Sequence, residues 1–430
     1  MALALDDRDR RILALAVPAL FTLAVEPLYV LVDTAIVGRL GATQLAGLAL
    51  ASTVLTTLLW AFNFLSFGVT TRVAFETGAG DRRAASGVAV QALWLALVLG
   101  CASALVVAFA AEPLARVLGG HGASLHAAVT YLHISAISMP AALIMLASHG
   151  VFRGWSDTRT PLTVALVSNV INVVLEVVFV YAFDWGVAGS AWGTVIAQLL
   201  AAAWLVGLIG RAVVATGARL RPAMEEARRL LSIGRHIVVR TASLLAALAL
   251  ATAAAARVGT TALGGHQIAQ QMFVFLALAT DALAVAAQAL VGTASGAGDT
   301  VEADADSSRL LRLGLIVGAA LMVVVLVTSP VLPHVFSSDA EVIHAATIAL
   351  VFLALMQIPG SVVFVLDGVL MGRSAFAYVK WVTLAALVAY IPFAAAAFAR
   401  PANGLAVVWG GLVVWMCVRA ALNYRRYASA

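Results

Sequence analysis

Twelve long apolar stretches, separated by mostly short polar connections, dominate the pattern of this chain of 430 residues. Each stretch is long enough for a helix that crosses the hydrocarbon core of a bilayer, which needs about 20 apolar residues. The connections carry Gly, Pro, Asp or Arg, as turns commonly do. The pattern predicts an all-α integral membrane protein whose twelve transmembrane helices cover residues 12–37, 45–71, 86–110, 127–152, 162–183, 187–210, 233–256, 263–291, 311–335, 343–371, 376–398 and 404–422.

The most charged connection, residues 211–229, divides the chain into halves of six spans each. We therefore expect an N-terminal six-helix lobe at 1–210, a cytoplasmic linker at 211–229 and a C-terminal six-helix lobe at 230–430. A shift of 218 residues superimposes motifs of the first half on the second without gaps. The coinciding motifs contain residues that rarely match by accident: Arg10-Arg11 with Arg228-Arg229, Gly78-Ala79-Gly80-Asp81 with Gly296-Ala297-Gly298-Asp299, and His126-Ala127-Ala128 with His344-Ala345-Ala346.

This repeat has a consequence for the architecture and the function class. A repeat unit with an even number of spans keeps the same orientation in both copies, so the two lobes are related by a pseudo-twofold axis along the membrane normal. Some secondary transporters use parallel repeats of this kind, with a central cavity that opens to either side. The repeat therefore predicts a membrane transporter. The sequence contains no G-x-x-x-x-G-K-[ST] phosphate loop, so we expect no nucleotide cofactor.

The basic residues predict the orientation. If the N-terminus is cytoplasmic and the spans alternate, Arg39, Arg116, Arg257 and Arg400 lie outside and Arg240 lies within a span. The other 21 of the 26 Lys and Arg residues then lie on the cytoplasmic side, as the positive-inside rule requires. We expect a multi-pass protein of the plasma membrane, a monomer in contact with lipid, with both termini in the cytoplasm.

Composition excludes several other classes. The chain is 63% hydrophobic and 11% charged, whereas soluble domains are about 45–50% apolar and about 25% charged. A soluble enzyme and a secreted disulfide scaffold are therefore excluded, and scattered basic residues argue against a nucleic-acid partner. Cys101 and Cys417 lie in apolar stretches and are predicted to be buried free thiols.

Acidic residues inside the first-half spans are the candidate functional groups. A charge at mid-bilayer costs at least about 2.5–3.5 kcal/mol on insertion scales, so each needs a reason. Glu26 and Asp33 are seven residues apart and share a helix face, while Asn169, Asn172 and Glu176 form one polar stripe on the fifth span. Such groups either bind and release a proton or ion during a cycle or only hold helices together. We expect no bound metal cofactor, although Na⁺ near Asp33 and Glu176 is an open alternative to protons.

The second half carries a different set of polar residues within its spans. Asp281 and Asp367 are acidic, and Arg240 on the seventh span is positioned to neutralise either of them. Gln267 and Gln271 are candidates for lining a cavity in this lobe. A transport role and a structural ion pair are both open for Arg240 and the two acids.

Several segments together resemble the multidrug and toxic compound extrusion family, and its DinF-like branch in particular. The segments, in chain order, are PALFTLAVEPLYVLVDTAIVGRLGATQLAGLAL from Pro18, VFRGWSDTRTPL at 151–162, NVINVVLEVVFV at 169–180, GVAGSAWGTVIAQ at 186–198, LGGHQIAQQ at 263–271 and LDGVLMG at 366–372. EPLYVLVDT and RHIVVRT look most like the DinF-like branch.

This resemblance implies a secondary antiporter that exports organic cations and drugs in exchange for protons or sodium. Asp33, the Asn172–Glu176 pair and Asp367 match acidic or polar positions of the family. Sodium-coupled members of another branch carry a glutamate near the position of Arg240. The cation here favours coupling at Asp33 and Glu176 in the first lobe, and favours protons.

Two other functions are considered. A flippase for lipid-linked precursors of a related fold is the alternative, but a cavity for pyrophosphate lipids should be rich in Arg and Lys, and here membrane acids outnumber the single Arg240. A membrane-embedded enzyme requires a catalytic constellation, and neither H-E-x-x-H nor G-x-S-x-G occurs in the sequence. We therefore expect a transporter and not an enzyme.

Overall fold

The computed structural model describes residues 6–399 and 404–429, and all regular elements within these ranges are helices. Arg400, predicted on the outer side, lies outside them. The elements are α1 (Asp7–Gly38), α2 (Ala42–Ala61), α3 (Phe64–Gly78), α4 (Arg82–Val117), α5 (Gly122–Ala136), α6 (Met139–Gly154), α7 (Arg159–Val177), a π-helix (Val178–Ala182), α8 (Gly186–Thr216), α9 (Met224–Val258), α10 (Thr260–Gly296), α11 (Thr300–Thr328), α12 (Pro333–Phe336), α13 (Ala340–Gly372), α14 (Phe376–Ala399) and α15 (Gly404–Ala428).

The helices confirm the predicted membrane architecture. Within residues 6–399 and 404–429, eleven helical spans are long and apolar enough to cross a membrane, and the bent pair of α5 and α6 makes up to twelve if it is counted as one span. The fourth predicted span is therefore not straight, because α5 and α6 meet at an angle of 59°. The second predicted span consists of α2 and α3, with Phe62 and Asn63 between them.

The chain forms two compact units, Val17–Val238 and Met1–Ala16 with Val239–Ala430, called here the N-terminal and C-terminal units. Their boundaries differ from those of the predicted lobes, because α1 begins in the C-terminal unit and α9 begins in the N-terminal unit. The segment predicted as a linker at 211–229 is also mostly helical, since α8 runs to Thr216 and α9 begins at Met224.

Specific contacts explain why the first turns of α1 belong to the C-terminal unit. Arg8 bonds Glu302 at 2.6 Å and Arg11 bonds Asp306 at 2.7 Å, while Asp9 pairs with Arg309. Ile12 joins an apolar cluster of the C-terminal unit. The first turns of α1 are thus held to α11 by charge and by burial.

Equivalent contacts hold the first turns of α9 in the N-terminal unit. Arg72 Nε donates to Glu226 at 3.0 Å. Gly234 lies so close to Phe64 that a Cβ there would come within 2.6 Å of the ring. Glycine therefore permits this close packing of α9 on α3.

Both cysteines are free, but the prediction that they are buried is wrong, because Cys101 and Cys417 are exposed on the protein surface. A helix in a bilayer needs no protein cover for its apolar side chains, since lipid tails are as apolar as a protein core. Apolar surroundings in sequence therefore do not predict burial within the protein.

Candidate functional site

A strip of small residues on α8 brings the acidic helices of the N-terminal unit together. A Cβ on Gly193 would lie 3.1 Å from the backbone nitrogen of Glu176, and one on Gly189 would lie 2.8 Å from the carbonyl carbon of Phe179. The spacing Gly189-x-x-x-Gly193 is the small-xxx-small pattern that lets membrane helices approach closely. α8 therefore packs directly against α7 and the π-helix.

Two hydroxyl residues on this strip contact the other polar side chains. Ser190 Oγ donates to Asp33 Oδ1 at 2.7 Å. Thr194 Oγ1 lies 2.8 Å from the Tyr29 hydroxyl and accepts from Asn172 Nδ2 at 3.2 Å. The strip thus connects polar groups of α1 and α7 that are more than 130 residues apart in sequence.

Asp33 and Glu176 form a buried acid pair, the term used below for these two residues. Asp33 is 4% exposed and Glu176 is fully buried, and their carboxyl groups lie beside each other. Neither Glu176 oxygen has a hydrogen-bond donor, and the same holds for Asn172 Oδ1. Within the described ranges no Lys or Arg forms an ion pair with either acid.

This geometry determines what the acid pair can do. Two adjacent carboxylates in a buried site strongly disfavour simultaneous ionisation. A proton on one of them, or a bound cation, removes the repulsion and supplies the missing partner for the free oxygens. Across the part of the chain that the structure describes, no cluster of three or more His, Cys, Asp or Glu could hold a metal ion.

The remaining first-half candidates lie elsewhere. Asn169 donates to the carbonyl of Ala165, in its own helix, at 2.7 Å. Glu26 is on an exposed face of α1, two turns before the buried Asp33. The structure thus brings Asp33, Asn172 and Glu176 together but does not place Asn169 and Glu26 with them.

The C-terminal unit contains a second buried acidic residue in a different environment. Asp367 Oδ2 accepts from Arg240 Nη2 at 2.7 Å and from Arg419 Nη2 at 2.9 Å. Asp367 Oδ1 accepts from Asn423 Nδ2 at 2.7 Å. Arg240 therefore pairs with Asp367, which the sequence left open, and this group of four is called the arginine cluster below.

The sequence pattern predicts no role for Arg419 and Asn423, which the structure places with Asp367. Arg419 lies near the end of the last apolar stretch, where a basic residue is expected on the cytoplasmic side. The available signal was its spacing, since Arg419 and Asn423 are four residues apart and lie on one face of α15. Two buried polar residues at that spacing indicate a shared partner.

The other candidate residues of the second half differ in their exposure. Asp281 lies half-buried on α10. Gln267 and Gln271 are exposed, whereas the neighbouring His266 is buried and lies 3.0 Å from Thr252 Oγ1 through Nε2. Thr252 also donates to Gln270 Oε1 at 3.0 Å. In this stretch, His266 and Gln270 make the contacts inside the unit.

With up to twelve apolar spans in its described residues, this chain is a multi-pass membrane protein. The MatE family model matches residues 18–178 and 237–396, and the chain belongs to this family of membrane transporters. The resemblance found in the sequence is thereby confirmed.

Two named relatives are similar in sequence to nearly the whole of this chain. Protein DETOXIFICATION 44, chloroplastic, of Arabidopsis thaliana is 31% identical over 95% of this chain and 80% of its own. DNA damage-inducible protein F of Escherichia coli (strain K12) is 29% identical over 98% and 93%. The solved outward-facing conformation of a multidrug resistance MATE family transporter has a TM-score of 0.87 at 20% identity, covering 99% and 97% of the two chains. That structure supports the fold.

Proposed function

We propose that this protein is a secondary antiporter of the plasma membrane that exports organic cations and drugs in exchange for protons, with the acid pair as the coupling site. The observation that carries the proposal is the environment of Glu176. This residue is fully buried beside Asp33, and neither of its carboxyl oxygens has a hydrogen-bond donor. Such a site is incomplete without a proton or a cation. Family membership and the similarity to multidrug transporters support the drug substrates.

In this mechanism the acid pair exists in two states. With one proton, the two carboxyl groups share a hydrogen and α7 packs stably on α1. Without it, both groups are charged in a buried site and repel each other. A conformation that exposes the pair to water is then favoured, so that proton uptake and release change the N-terminal unit during the cycle.

Protons are favoured over sodium for two reasons. One proton can be shared by the two adjacent carboxyl groups of Asp33 and Glu176 and needs no further ligand. In the C-terminal unit, Asp367 is already bonded to two arginines and an asparagine, which leaves it poorly suited to bind a cation. Sodium coupling at the acid pair is the alternative, and the liposome experiment below distinguishes it from proton coupling.

The lipid-linked precursor flippase has less support. Arg240 and Arg419 are buried and share Asp367, so they are engaged within the protein and do not form an open basic surface. Cytoplasmic termini, a monomeric state and contacts with membrane lipid are parts of the proposal that follow from the charge distribution and the apolar helices.

Reconstitution into liposomes tests the proposal. Wild type and Asp33→Asn are compared under an imposed pH gradient and, separately, an imposed sodium gradient, with transport of a fluorescent organic cation as the signal. We expect the pH gradient alone to drive transport by wild type and Asp33→Asn to be inactive but folded. Normal transport by Asp33→Asn would refute the coupling site. Transport driven by the sodium gradient alone would show that the coupling ion is sodium and not the proton.

A further inference from the structure

A π-helix begins two residues after the buried Glu176. It covers Val178–Ala182 and is closed by the bond from Phe183 N to the carbonyl of Val178 at 3.0 Å, five residues back. π-helical turns are rare, and they are found frequently at functional sites. This one lies directly beside the acid pair.

The π-helix places Tyr181 against α1. The Tyr181 hydroxyl donates to the backbone carbonyl of Ile36 at 2.9 Å. Ile36 is three residues after Asp33, on the same face of α1. Two residues of one helix thus meet two residues of the other: Asp33 lies beside Glu176, and Ile36 accepts from Tyr181.

In an uninterrupted α-helix, Tyr181 would point away from the face of Glu176. At 3.6 residues per turn, a residue five positions after Glu176 points roughly 140° away from it. A turn closed by an i→i+5 bond takes about one residue more, and since it begins at Val178, it moves Tyr181 part of the way back towards the face of Glu176. The irregular turn therefore makes it possible for both side chains to face α1.

α8 supports this arrangement from the other side. Gly189 packs on the backbone of Phe179 and Val180, within the π-helix, while Gly193 packs on the backbone of Glu176. The π-helix is therefore held by α8 on one side and by the Tyr181–Ile36 bond on the other. This bond is a direct polar link between α1 and the π-helix.

We propose that Tyr181 is a positioning residue for the acid pair, and that its bond to Ile36 sets the separation between Glu176 and Asp33. The inference rests on the proposed function of that pair. Tyr181 itself does not exchange the proton; it holds α7 against α1 at the level where the two carboxyl groups meet.

The expected pH effect depends on all groups that face the pair. Among the described residues these are the hydroxyls of Tyr29 on α1, Tyr131 on α5, and Ser190 and Thr194 on α8, together with the amide of Asn172 on α7. None of them is removed when the Tyr181 hydroxyl is lost. Loss of the bond lets the carboxyl groups separate, their repulsion falls, and the shared proton is held less tightly.

The test compares Tyr181→Phe with Tyr378→Phe in liposomes. Tyr378 is a matched control, because its hydroxyl also donates to a backbone carbonyl, that of Leu422 at 2.7 Å, in the C-terminal unit. We expect the pH midpoint of drug transport to fall by about 0.5–1 unit in Tyr181→Phe and to be unchanged in Tyr378→Phe. Tyr181→Trp, which keeps an N–H donor, should lie between Tyr181→Phe and wild type.

The outcomes are distinguishable from failure of the proposed function. If Asp33→Asn is inactive but Tyr181→Phe has the wild-type midpoint, the positioning role is wrong and the coupling site stands. If Asp33→Asn transports normally, the coupling site itself is wrong. Because Tyr181 is 45% exposed, we expect its variants to fold, and a monodisperse elution profile with wild-type thermal unfolding confirms this. An equal midpoint shift in both tyrosine variants would also overturn the positioning role.

Discussion

In the N-terminal unit, Asp33 and Glu176 lie side by side, and neither forms an ion pair with a Lys or Arg of the described chain, whereas in the C-terminal unit Asp367 is bonded to two arginines. The buried atoms that lack hydrogen-bond partners differ less sharply. Around the acid pair they are three oxygen acceptors, on Glu176 and Asn172, whereas in the arginine cluster they are N–H donors of Arg240 and Arg419 together with Oδ1 of Asn423. The two units repeat each other in sequence, but the chemistry at their buried acids is opposite.

This difference indicates separate tasks for the two sites. A carboxyl group held by two guanidinium groups keeps its charge, because protonation would leave both cations without a partner. A carboxyl group beside a second acid changes its protonation more readily. The comparison therefore supports the proposal that coupling takes place in the N-terminal unit and that the C-terminal unit holds a fixed, structural charge.

The largest expected effect comes from Glu176→Gln, which tests whether the pair needs two acids. The amide has nearly the same shape, so we expect the variant to fold. Proton-coupled transport should fall to the level of protein-free liposomes, because the repulsion that drives deprotonation is lost. The measurement is drug-dependent proton movement with a pH-sensitive dye, and Glu26→Gln is the matched control. Transport at half the wild-type rate or more would show that Asp33 alone is sufficient.

Arg419→Gln tests the opposite site. Removing one member of a buried charge cluster typically costs about 3–5 kcal/mol, so we expect a marked fall in the thermal unfolding temperature and in yield. The coupling midpoint of the protein that does fold should stay unchanged. Arg373→Gln is the control, because its bond to Asp304 involves a largely exposed partner. An intact unfolding temperature with a shifted midpoint would place the arginine cluster in the coupling mechanism.

Much of this comparison was accessible from the sequence. The repeat of 218 residues, the span count and the isolated acids identified the fold and the residues Asp33, Asn172 and Glu176, because lipid makes each charge within a span costly. The sequence also indicated that Arg240 distinguishes the two halves. Span length and intramembrane charge are local signals, and they also selected Glu26 and Asn169, which the structure does not place with the other three.

Other features depend on contacts that no local pattern reports. Asn169 shares the stripe of Asn172 but bonds its own helix, because small rotations decide which polar residue reaches a neighbour. Arg419 lies near a span end, where a basic residue is expected in water. The π-helix lengthens one turn without a distinct residue signature, so the position of Tyr181 could not be derived from α-helical spacing.

Gly193→Ala tests whether close packing of α8 is what joins the acids. A Cβ would lie 3.1 Å from Glu176 N, and overpacking of this kind costs about 1–3 kcal/mol. We expect lower stability and transport reduced severalfold, measured by thermal unfolding and dye efflux. Gly207→Ala, on the same helix with no atom within 4 Å of its Cβ position, should behave as wild type. Equal behaviour of the two variants would show that α8 tolerates a wider separation from α7.

The smallest effect is expected for Asn169→Ala, which asks how far the acid pair extends along α7. Asn169 donates only to a carbonyl of its own helix among its described contacts, whereas Asn172 bonds Thr194. Asn169→Ala should therefore leave the pH midpoint of transport unchanged and alter stability by at most about 1 kcal/mol. Asn172→Ala, its comparison, should shift the midpoint because it removes an amide from the site. A midpoint shift in Asn169→Ala as large as in Asn172→Ala would extend the coupling site one turn along α7 and weaken the contrast between the two units.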